Sequence, residues 1–354
     1  MRHVPGPATP HPADASRPTS RRLAPLAALG ALGALGAPAL HAQDMTNQLE
    51  ASVRLGFELE TEPETSIAFQ DFASRIRWNG EKRISDDLVG IGYLEFGFDE
   101  DDGVDNTRYA YVGLASASLG TLTGGKQYRA FYDAVSSTVD VAYVGSCAFE
   151  VSCARQSGVI KYERALGEDL RVVASTTLID NDAGDDFLDE IDLGAIADLG
   201  ELTVGAAVTI GTGVDADQPD AVDPTDGAFG DGVDQDTGIA LGVAASTALS
   251  EDLTLSATVQ FASDDYLAGP DNGFGATVAA VADRFYGLIS FADADNTPFN
   301  ATLGYEYPID EEALIYAEVQ GFEPDLPGQD FELFLRTVFV YNFGAVTMTP
   351  SRDR

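Results

Sequence analysis

Apolar and polar residues alternate along the chain from about residue 49 onward. In residues 49–60 the apolar side chains stand at odd positions, and residues 201–211, 252–263 and 299–308 alternate in the same way. A period of two is that of a β-strand with one apolar and one wet face. The segments are near the ~9–11 residues that a tilted strand needs to cross a bilayer. Beyond residue 42, no apolar run approaches the ~18–20 residues of a membrane-spanning helix.

The connections between these segments fall into two classes of length. Short, similar turns lie at residues 84–88, 166–170, 198–202, 249–253 and 309–313. Long loops rich in Asp, Gly and Pro lie at residues 180–188, 211–237 and 262–273. Alternation also fits a soluble β-sandwich, but strands there are usually nearer ~5–6 residues. Short turns at one end and long polar loops at the other are typical of an outer-membrane barrel.

The pattern predicts an all-β fold, a transmembrane antiparallel β-barrel of sixteen strands. These strands are 49–60, 66–80, 84–98, 107–117, 119–128, 155–166, 169–181, 188–199, 201–211, 237–248, 252–263, 274–283, 284–292, 299–308, 312–322 and 330–343. Because an unpaired backbone group in hydrocarbon costs several kcal/mol, the last strand must pair with the first. A barrel of ~16–18 strands is wide enough to leave an aqueous channel.

Aromatic residues are frequent near the ends of several predicted strands. Trp78, Tyr305, Tyr307 and the aromatic residues of the last strand are candidates for the girdles at the two membrane surfaces. The alternative interpretation of these residues is ordinary core packing.

The N-terminus has the features of a cleaved export signal. Arg17, Arg21 and Arg22 precede an apolar stretch, Leu23–Leu40, that is followed by a plausible cleavage site at Ala42. A transmembrane anchor is the alternative, but the stretch is rich in small residues and broken by proline. The predicted organisation is therefore a signal peptide at 1–42, a barrel at 43–343 and a C-terminal tail at 344–354.

Charge and composition exclude several classes of function. The 354 residues include 20 Lys and Arg against 58 Asp and Glu, a net charge of −38. Removal of residues 1–42 takes away four Arg and one Asp, which leaves 16 basic and 57 acidic residues and a net charge of −41. Such a balance argues against nucleic-acid binding. With 45% hydrophobic residues the chain is also too apolar for a disordered acidic tail.

The three histidines all lie within residues 1–42. The mature chain is therefore expected to lack every Ser-His-Asp or Cys-His arrangement and every His-ligated metal site. We expect no enzyme and no cofactor. The acidic loops could bind Ca²⁺ weakly, but no run has the EF-hand spacing, and solvated loops are the favoured interpretation.

Three sequence blocks carry a resemblance to a known family. Residues 74–81, 106–114 and 120–128, followed by Asp133, resemble the general trimeric diffusion porins of Gram-negative outer membranes. The resemblance covers about residues 49–165. It implies a barrel with an inward-folded third loop at about 129–154, and a homotrimer embedded in outer-membrane lipid.

Twelve of the sixteen mature basic residues lie between Arg54 and Arg171. The resemblance implies that Arg54, Arg75, Lys126 and Arg155 form the basic wall of a pore constriction. Arg77 is added to this wall because it lies on the same face of its strand as Arg75. A charge on the opposite, lipid-facing side would cost ~2–4 kcal/mol near the midplane.

The third loop is expected to supply the opposing carboxylates. Asp133, Asp140 and Glu150 are the candidates. Acids facing bases across a narrow slot would create a transverse field that orients polar solutes. For each of these residues the alternative is a solvated charge at the rim.

Two features depart from the family pattern. The chain continues beyond the aromatic Phe343, where family members usually stop. Cys147 and Cys153 lie within the predicted third loop. Exported chains meet an oxidising compartment, so a disulfide is favoured over free thiols.

The resemblance implies an outer-membrane channel for passive diffusion of small hydrophilic solutes and ions. The net charge of −41 favours cations, although the basic wall counts against that. One alternative is an adhesin or structural barrel with a plugged lumen. Another is an outer-membrane hydrolase, which the missing histidine disfavours.

Overall fold

A computed structural model describes ten stretches of the chain. They are residues 45–61, 65–99, 103–144, 146, 151–178, 190–211, 238–263, 273–293, 299–323 and 331–348. The predicted signal at 1–42 and most of each long acidic loop lie outside the described residues. Within the described stretches, no helix has both the length and the apolar character needed to span a membrane.

Seventeen strand segments form a single antiparallel sheet. They are β1 (Met45–Glu60), β2 (Ser66–Asp71), β3 (Arg75–Arg83), β4 (Leu88–Asp99), β5 (Gly103–Ser116), β6 (Gly120–Gln127), β7 (Gln156–Ala165), β8 (Leu170–Thr177), β9 (Glu190–Asp198), β10 (Leu202–Gly211), β11 (Gly238–Ala248), β12 (Leu253–Ala262), β13 (Gly273–Ala282), β14 (Phe285–Asp293), β15 (Phe299–Pro308), β16 (Ala313–Glu323) and β17 (Glu332–Met348).

The segments β2 and β3 are two pieces of one barrel strand. β2 pairs with residues 55–60 of β1, and β3 pairs with residues 45–52 of the same strand. Between them the chain bends at Ala73, whose φ of 64° lies in the left-handed region. The barrel therefore has sixteen strands, as the sequence predicts.

Closure of the sheet is made by β1 and β17. Their ladder runs from Glu60 opposite Phe334 to Asn47 opposite Met348, with one irregularity between Leu49 and Ala51. Each of the barrel strands that the structure describes then has two neighbours, and none of them is left as a free edge. The all-β, closed antiparallel prediction is confirmed.

The last strand is longer than predicted. β17 continues to Met348, where its final residues pair with the start of β1. The predicted boundary at residue 343 is thus too early, because β1 itself begins at Met45 and offers partners to residues 346–348. Residues 349–354 lie outside the described part of the chain.

The two ends of the barrel carry connections of different length, as predicted. At one end the connections are two to four residues long: 84–87, 117–119, 166–169, 199–201, 249–252, 283–284 and 309–312. The turn at Asp283, with a φ of 53°, falls where the sequence divides the twelfth and thirteenth strands. At the other end the longest described connection joins β6 to β7.

The sheet has an apolar outer face and a polar inner face. Leu303 is 62% exposed and Val243 54% exposed, whereas the alternate positions Thr277 and Asn300 are fully buried. This is the alternation of a strand between lipid and lumen. Among the predicted girdle residues, Tyr307 is exposed near the short-turn end, whereas the Trp78 ring covers Gly80 and Gly92.

Candidate functional site

The connection between β6 and β7, residues 128–155, forms what we call the inner segment; positions 145 and 147–150 of it are not described. It contains a short helix, α1 (Ala130–Ala134), and one 3-10 turn (Ser136–Thr138). α1 packs against β8, β9 and β10, and the 3-10 turn packs against β11 and β12. The contacted positions belong to the face that is not exposed to lipid.

Glycines on the inner face make room for this helix. A Cβ at Gly242 would lie 2.6 Å from the Phe131 ring, and one at Gly205 would overlap the carbonyl oxygen of Ala134. A Cβ at Gly194 would lie 2.8 Å from the Ala134 Cβ. Strand glycines often mark such close approach. The absence of side chains at these three glycines therefore lets α1 pack directly against the inner face of the sheet.

Buried side chains of β15 and β16 hold Tyr143, near the middle of the inner segment. The Tyr143 backbone N–H donates to Glu318 Oε1 at 2.7 Å, and the Tyr143 hydroxyl donates to Glu306. The Tyr143 ring stacks on Tyr316 with centroids 4.1 Å apart. Since α1 and the 3-10 turn contact β8–β12, residues 130–143 follow the inner face of the barrel from β8 to β16.

The near end of the segment is fixed by an arginine that the sequence analysis missed. Arg129 forms ion pairs with Glu190 and Asp192 of β9, and its Nε donates to Ser152 Oγ at 2.9 Å. The guanidinium is almost fully buried. Parity assigns faces only within strands, so it could not place a residue that follows the end of β6.

On the opposite wall, several arginines surround Glu95. Arg77 Nε donates to Glu95 Oε2 at 2.6 Å, and Arg108 Nε donates to Glu95 Oε1 at 2.7 Å. Arg75 Nη1 lies 3.7 Å from Glu95 Oε1. Arg77 and Glu95 are direct cross-strand partners of β3 and β4. The predicted pair Arg75 and Arg77 is thus brought together, around a carboxylate that was not predicted.

Arg108 reaches this place through a bulge. The β4–β5 ladder passes from Glu95 opposite Tyr109 to Phe96 opposite Thr107, so Arg108 is the extra residue. Arg108 and Tyr109 are consequently both buried on the inner side. Strict alternation assigns Arg108 to the outer face, and this is why sequence parity missed it.

Arg54 and Arg155 complete what we call the arginine cluster: Arg54, Arg75, Arg77, Arg108 and Arg155. Arg54 is 9% exposed, and its guanidinium lies 5.5 Å from the Tyr143 ring centroid. The Arg155 guanidinium lies 4.6 Å from the Tyr109 centroid and 4.5 Å from that of Tyr128. Arg54 thus contacts the inner segment at Tyr143, and Arg155, the last residue of that segment, joins it to the cluster.

The structure does not bring Lys126 to the cluster. Lys126 lies opposite Ala110 in the β5–β6 ladder, and Ala110 has the parity of Val112, which is 69% exposed on the outer face. The neighbouring β6–β7 ladder is irregular between Gly125 and Gln127. Lys126 thus has the outward parity of its strand and is not part of the arginine cluster, where the family resemblance had placed it.

The predicted acids have other partners. Asp133 accepts from Lys161 Nζ at 2.6 Å, and burial raises the pKa of Asp133 although Lys161 opposes the shift. Asp140 accepts hydrogen bonds from Tyr132 and Ser146 within the inner segment. The geometry thus associates Asp133 with β7 and uses Asp140 to shape the segment.

The remaining predicted positions are only partly described. Glu150 and Cys147 lie outside the described residues. Cys153 is disulfide-bonded. No group of His, Cys, Asp and Glu within the described stretches could hold a metal ion.

A cavity of about 250 Å³ opens beside the arginine cluster. Its lining residues are Gln48, Glu50, Arg77, Asn79 and Tyr93. The pairs Gln48–Asn79 and Glu50–Arg77 are cross-strand partners of β1 and β3, which places them in two adjacent rows of the inner face. The space next to the cluster is therefore lined by hydrogen-bonding and charged groups.

A closed barrel that is apolar outside and charged inside defines the class of outer-membrane β-barrels. Residues 45–167 match the family model described as Gram-negative porin. Outer membrane porin F of Escherichia coli K12 is 35% identical over 72 residues, which cover 18% of this chain and 20% of that protein. Over residues 45–167 the chain is thus similar to the Gram-negative porins, which are proteins of the outer membrane.

The solved structures show a similar fold over most of the chain. An anion-selective porin from Comamonas acidovorans has a TM-score of 0.67 and 12% identity, covering 84% of this chain and 100% of that one. The trimer form of OmpT, an outer membrane protein of Vibrio cholerae, has a TM-score of 0.62 and 16% identity, covering 85% and 100%. By contrast, the sequence match spans only about a fifth of the curated relatives' length.

Proposed function

We propose that this barrel is a water-filled channel for passive diffusion of small hydrophilic solutes and ions across the outer membrane. The observation that carries the proposal is the arginine cluster on the inner face of a closed barrel. Placing several charges in a sealed, dry interior costs several kcal/mol per ion unless each is well paired. A hydrated passage beside the cluster removes most of that cost.

The distribution of apolar residues supports the same function. Two buried apolar clusters, one including Phe131 and Val135 and the other Tyr143 and Val139, pack the inner segment against strands β8–β14, β16 and β17. Four of the arginines stand instead on β1, β3 and β5, and Arg155 directly precedes β7. The passage we propose lies between the inner segment and this charged wall, so solutes cross a narrow, polar slot.

Two further parts of the proposal concern assembly and chemistry. We propose a homotrimer, which is supported by the likeness to the trimer form of the Vibrio cholerae protein. We propose no catalytic activity, since residues 43–354 contain no histidine to act as general base.

Cys147 is the proposed partner of Cys153, because the chain has two cysteines.

Liposome swelling tests the proposed diffusion directly. Vesicles containing the refolded barrel are diluted into isotonic solutions of uncharged sugars of increasing size. The proposal predicts fast swelling with the smallest sugars and a steep decline with size, because the slot acts as a sieve. Protein-free vesicles are the control. A plugged adhesin or structural barrel predicts no swelling with any sugar, and that result would rule out the channel.

A further inference from the structure

The cavity of about 250 Å³ beside the arginine cluster has two amide side chains in its lining, Gln48 and Asn79. We call this cavity the amide recess; Glu50, Arg77 and Tyr93 complete its lining. Asn79 is exposed and Gln48 is half-buried. Neither amide has a hydrogen-bond partner among the described residues. Their donors and acceptors are therefore open to a solute in the lumen.

Two other amides of the inner face are bonded within the protein. Gln320 Nε2 donates to Asn300 Oδ1 at 2.9 Å, which joins β16 to β15. Gln260 Oε1 accepts the backbone N–H of Val151 at 2.7 Å, which holds the inner segment to β12. The amides of the recess form no such link in the part of the chain that the structure describes, so their position on the inner face is not explained by the fold.

The two amides continue into an aromatic surface along one row of the sheet. Gln48 of β1 pairs with Asn79 of β3, and Asn79 pairs with Tyr93 of β4. Tyr93 in turn pairs with Tyr111 of β5, and the two rings are stacked with centroids 5.6 Å apart. Side chains of directly opposite residues have Cβ atoms about 4.5–5.5 Å apart. A solute in the recess can thus contact amides and an aromatic ring at the same time.

The second row of the recess holds one acid and one base. Glu50 lies opposite Arg77 in the β1–β3 ladder, with 3.9 Å between Glu50 Oε2 and Arg77 Nη1. This distance is too long for a hydrogen bond, and the Glu50 side chain is 43% exposed. Within the described part of the chain, Arg77 forms its side-chain hydrogen bond through Nε, to Glu95. The Glu50 carboxylate can therefore accept from a solute, and the Arg77 Nη groups can donate to it.

We propose that the amide recess binds neutral polyhydroxylated solutes of about the size of one sugar ring. A sugar hydroxyl both donates and accepts hydrogen bonds, as a primary amide does, and the apolar C–H face of a sugar finds matching surface on an aromatic ring. Pockets for drug-sized ligands are about 300–1,000 Å³, so a recess of about 250 Å³ suits a smaller molecule. A small zwitterion would match Glu50 and Arg77 but would leave both amides unused.

The inference rests on the proposed channel function and names a class of solute that is held briefly during passage. Such a site must be weak, because a solute that binds tightly in a channel does not leave it.

The test measures ion current through planar bilayers at increasing concentrations of D-glucose. A solute that only raises viscosity lowers the current in proportion to its concentration. Glucose should lower the wild-type current further, with a dependence that saturates, because an occupied recess narrows the passage beside it. The control solute is a polyethylene glycol of the same hydrodynamic size, which has hydroxyl donors only at its ends and should give the proportional decrease alone.

Two variants each remove one amide and keep a side chain of similar size: Asn79→Leu and Gln48→Met. Each should raise the half-saturating glucose concentration about fivefold, the effect of losing one hydrogen bond between neutral groups. The matched control is Thr203→Val, which removes a hydroxyl bonded to Asp198 on the opposite side of the barrel from β1. It should leave the half-saturating concentration unchanged. If one amide variant fails to fold, the other variant and the wild-type comparison of the two solutes still decide the matter.

The outcomes separate this inference from the proposed function. An open channel in which glucose acts like the polyethylene glycol, or in which both amide variants keep the wild-type glucose dependence, overturns the sugar site and leaves the channel standing. Glycine is tested in the same way, and a saturating block by glycine without one by glucose also overturns the site. A barrel that conducts no current overturns the channel itself.

Discussion

At the scale of single residues, Glu95 organises the charged wall. It is fully buried and contacts arginines from both neighbouring strands, β3 and β5. Removing one partner of a buried ion pair leaves an uncompensated charge, which costs more than the pair contributes when intact. Glu95 therefore has a structural role, in that it allows several guanidiniums to stand close together.

The Glu95→Gln substitution tests this role. We expect the free energy of unfolding to fall by about 3–5 kcal/mol, the range for breaking a buried ion pair. The measurement is urea-induced unfolding of the barrel in lipid vesicles. Glu163→Gln is the control, because its pair with Arg171 is partly exposed and such pairs contribute about 0–1 kcal/mol. Equal losses for the two variants would contradict the assignment.

The residues of this wall show what parity can and cannot predict. Arg54, Arg75 and Arg77 follow the alternation of their strands, so their inward position was predictable. Arg108 is the extra residue of a bulge, where alternation fails, and no local pattern in the sequence marks that bulge. Lys126 has the outward parity of Leu122, and only the family resemblance predicted that it faces the pore. Conversely, Glu95 has the inward parity of Tyr93 and could have been found.

At the scale of elements, the inner segment depends on the wall beneath it. Helix α1 has only five residues, too few to be stable in isolation. Its position is fixed by packing of Phe131 and Ala134 over inner-face glycines. The sequence could predict a long connection at this place. It could not predict where the connection docks, because that depends on which strands of the closed barrel face it.

The Gly242→Ala substitution should disturb this docking. The added methyl would meet the Phe131 ring at 2.6 Å and Val135 at 2.9 Å, so α1 must shift. Overpacking of this kind typically costs about 1–3 kcal/mol. We expect lower barrel stability and an altered single-channel conductance, because the segment borders the passage. The measurements are the urea midpoint and the conductance histogram.

Gly124→Ala provides the control for that experiment. Gly124 also lies in a strand, and a Cβ there would meet no atom within 4 Å. Its conductance and midpoint should match those of the wild type. If Gly242→Ala behaves like Gly124→Ala, the inner segment does not dock where the structure places it.

At the scale of the whole molecule, closure is the feature that the sequence predicted best. The period of two, the strand lengths and the two classes of connection all follow from the bilayer, because each backbone group needs a partner in hydrocarbon. The pairing of β1 with β17 satisfies that demand. The end of β17 was misplaced because β1 begins at Met45, so that Asn47 and Gln48, the partners of Met348 and Thr347, precede the first strand predicted from alternation.

Single-channel recording across a planar bilayer tests the central claim, that the closed barrel encloses a hydrated passage. The refolded mature chain is added to one side of the bilayer in concentrated KCl, and the current is followed at constant voltage. The account predicts discrete upward steps of reproducible size, grouped in threes if the homotrimer forms. Insertion of folded barrels without any increase in current would contradict it.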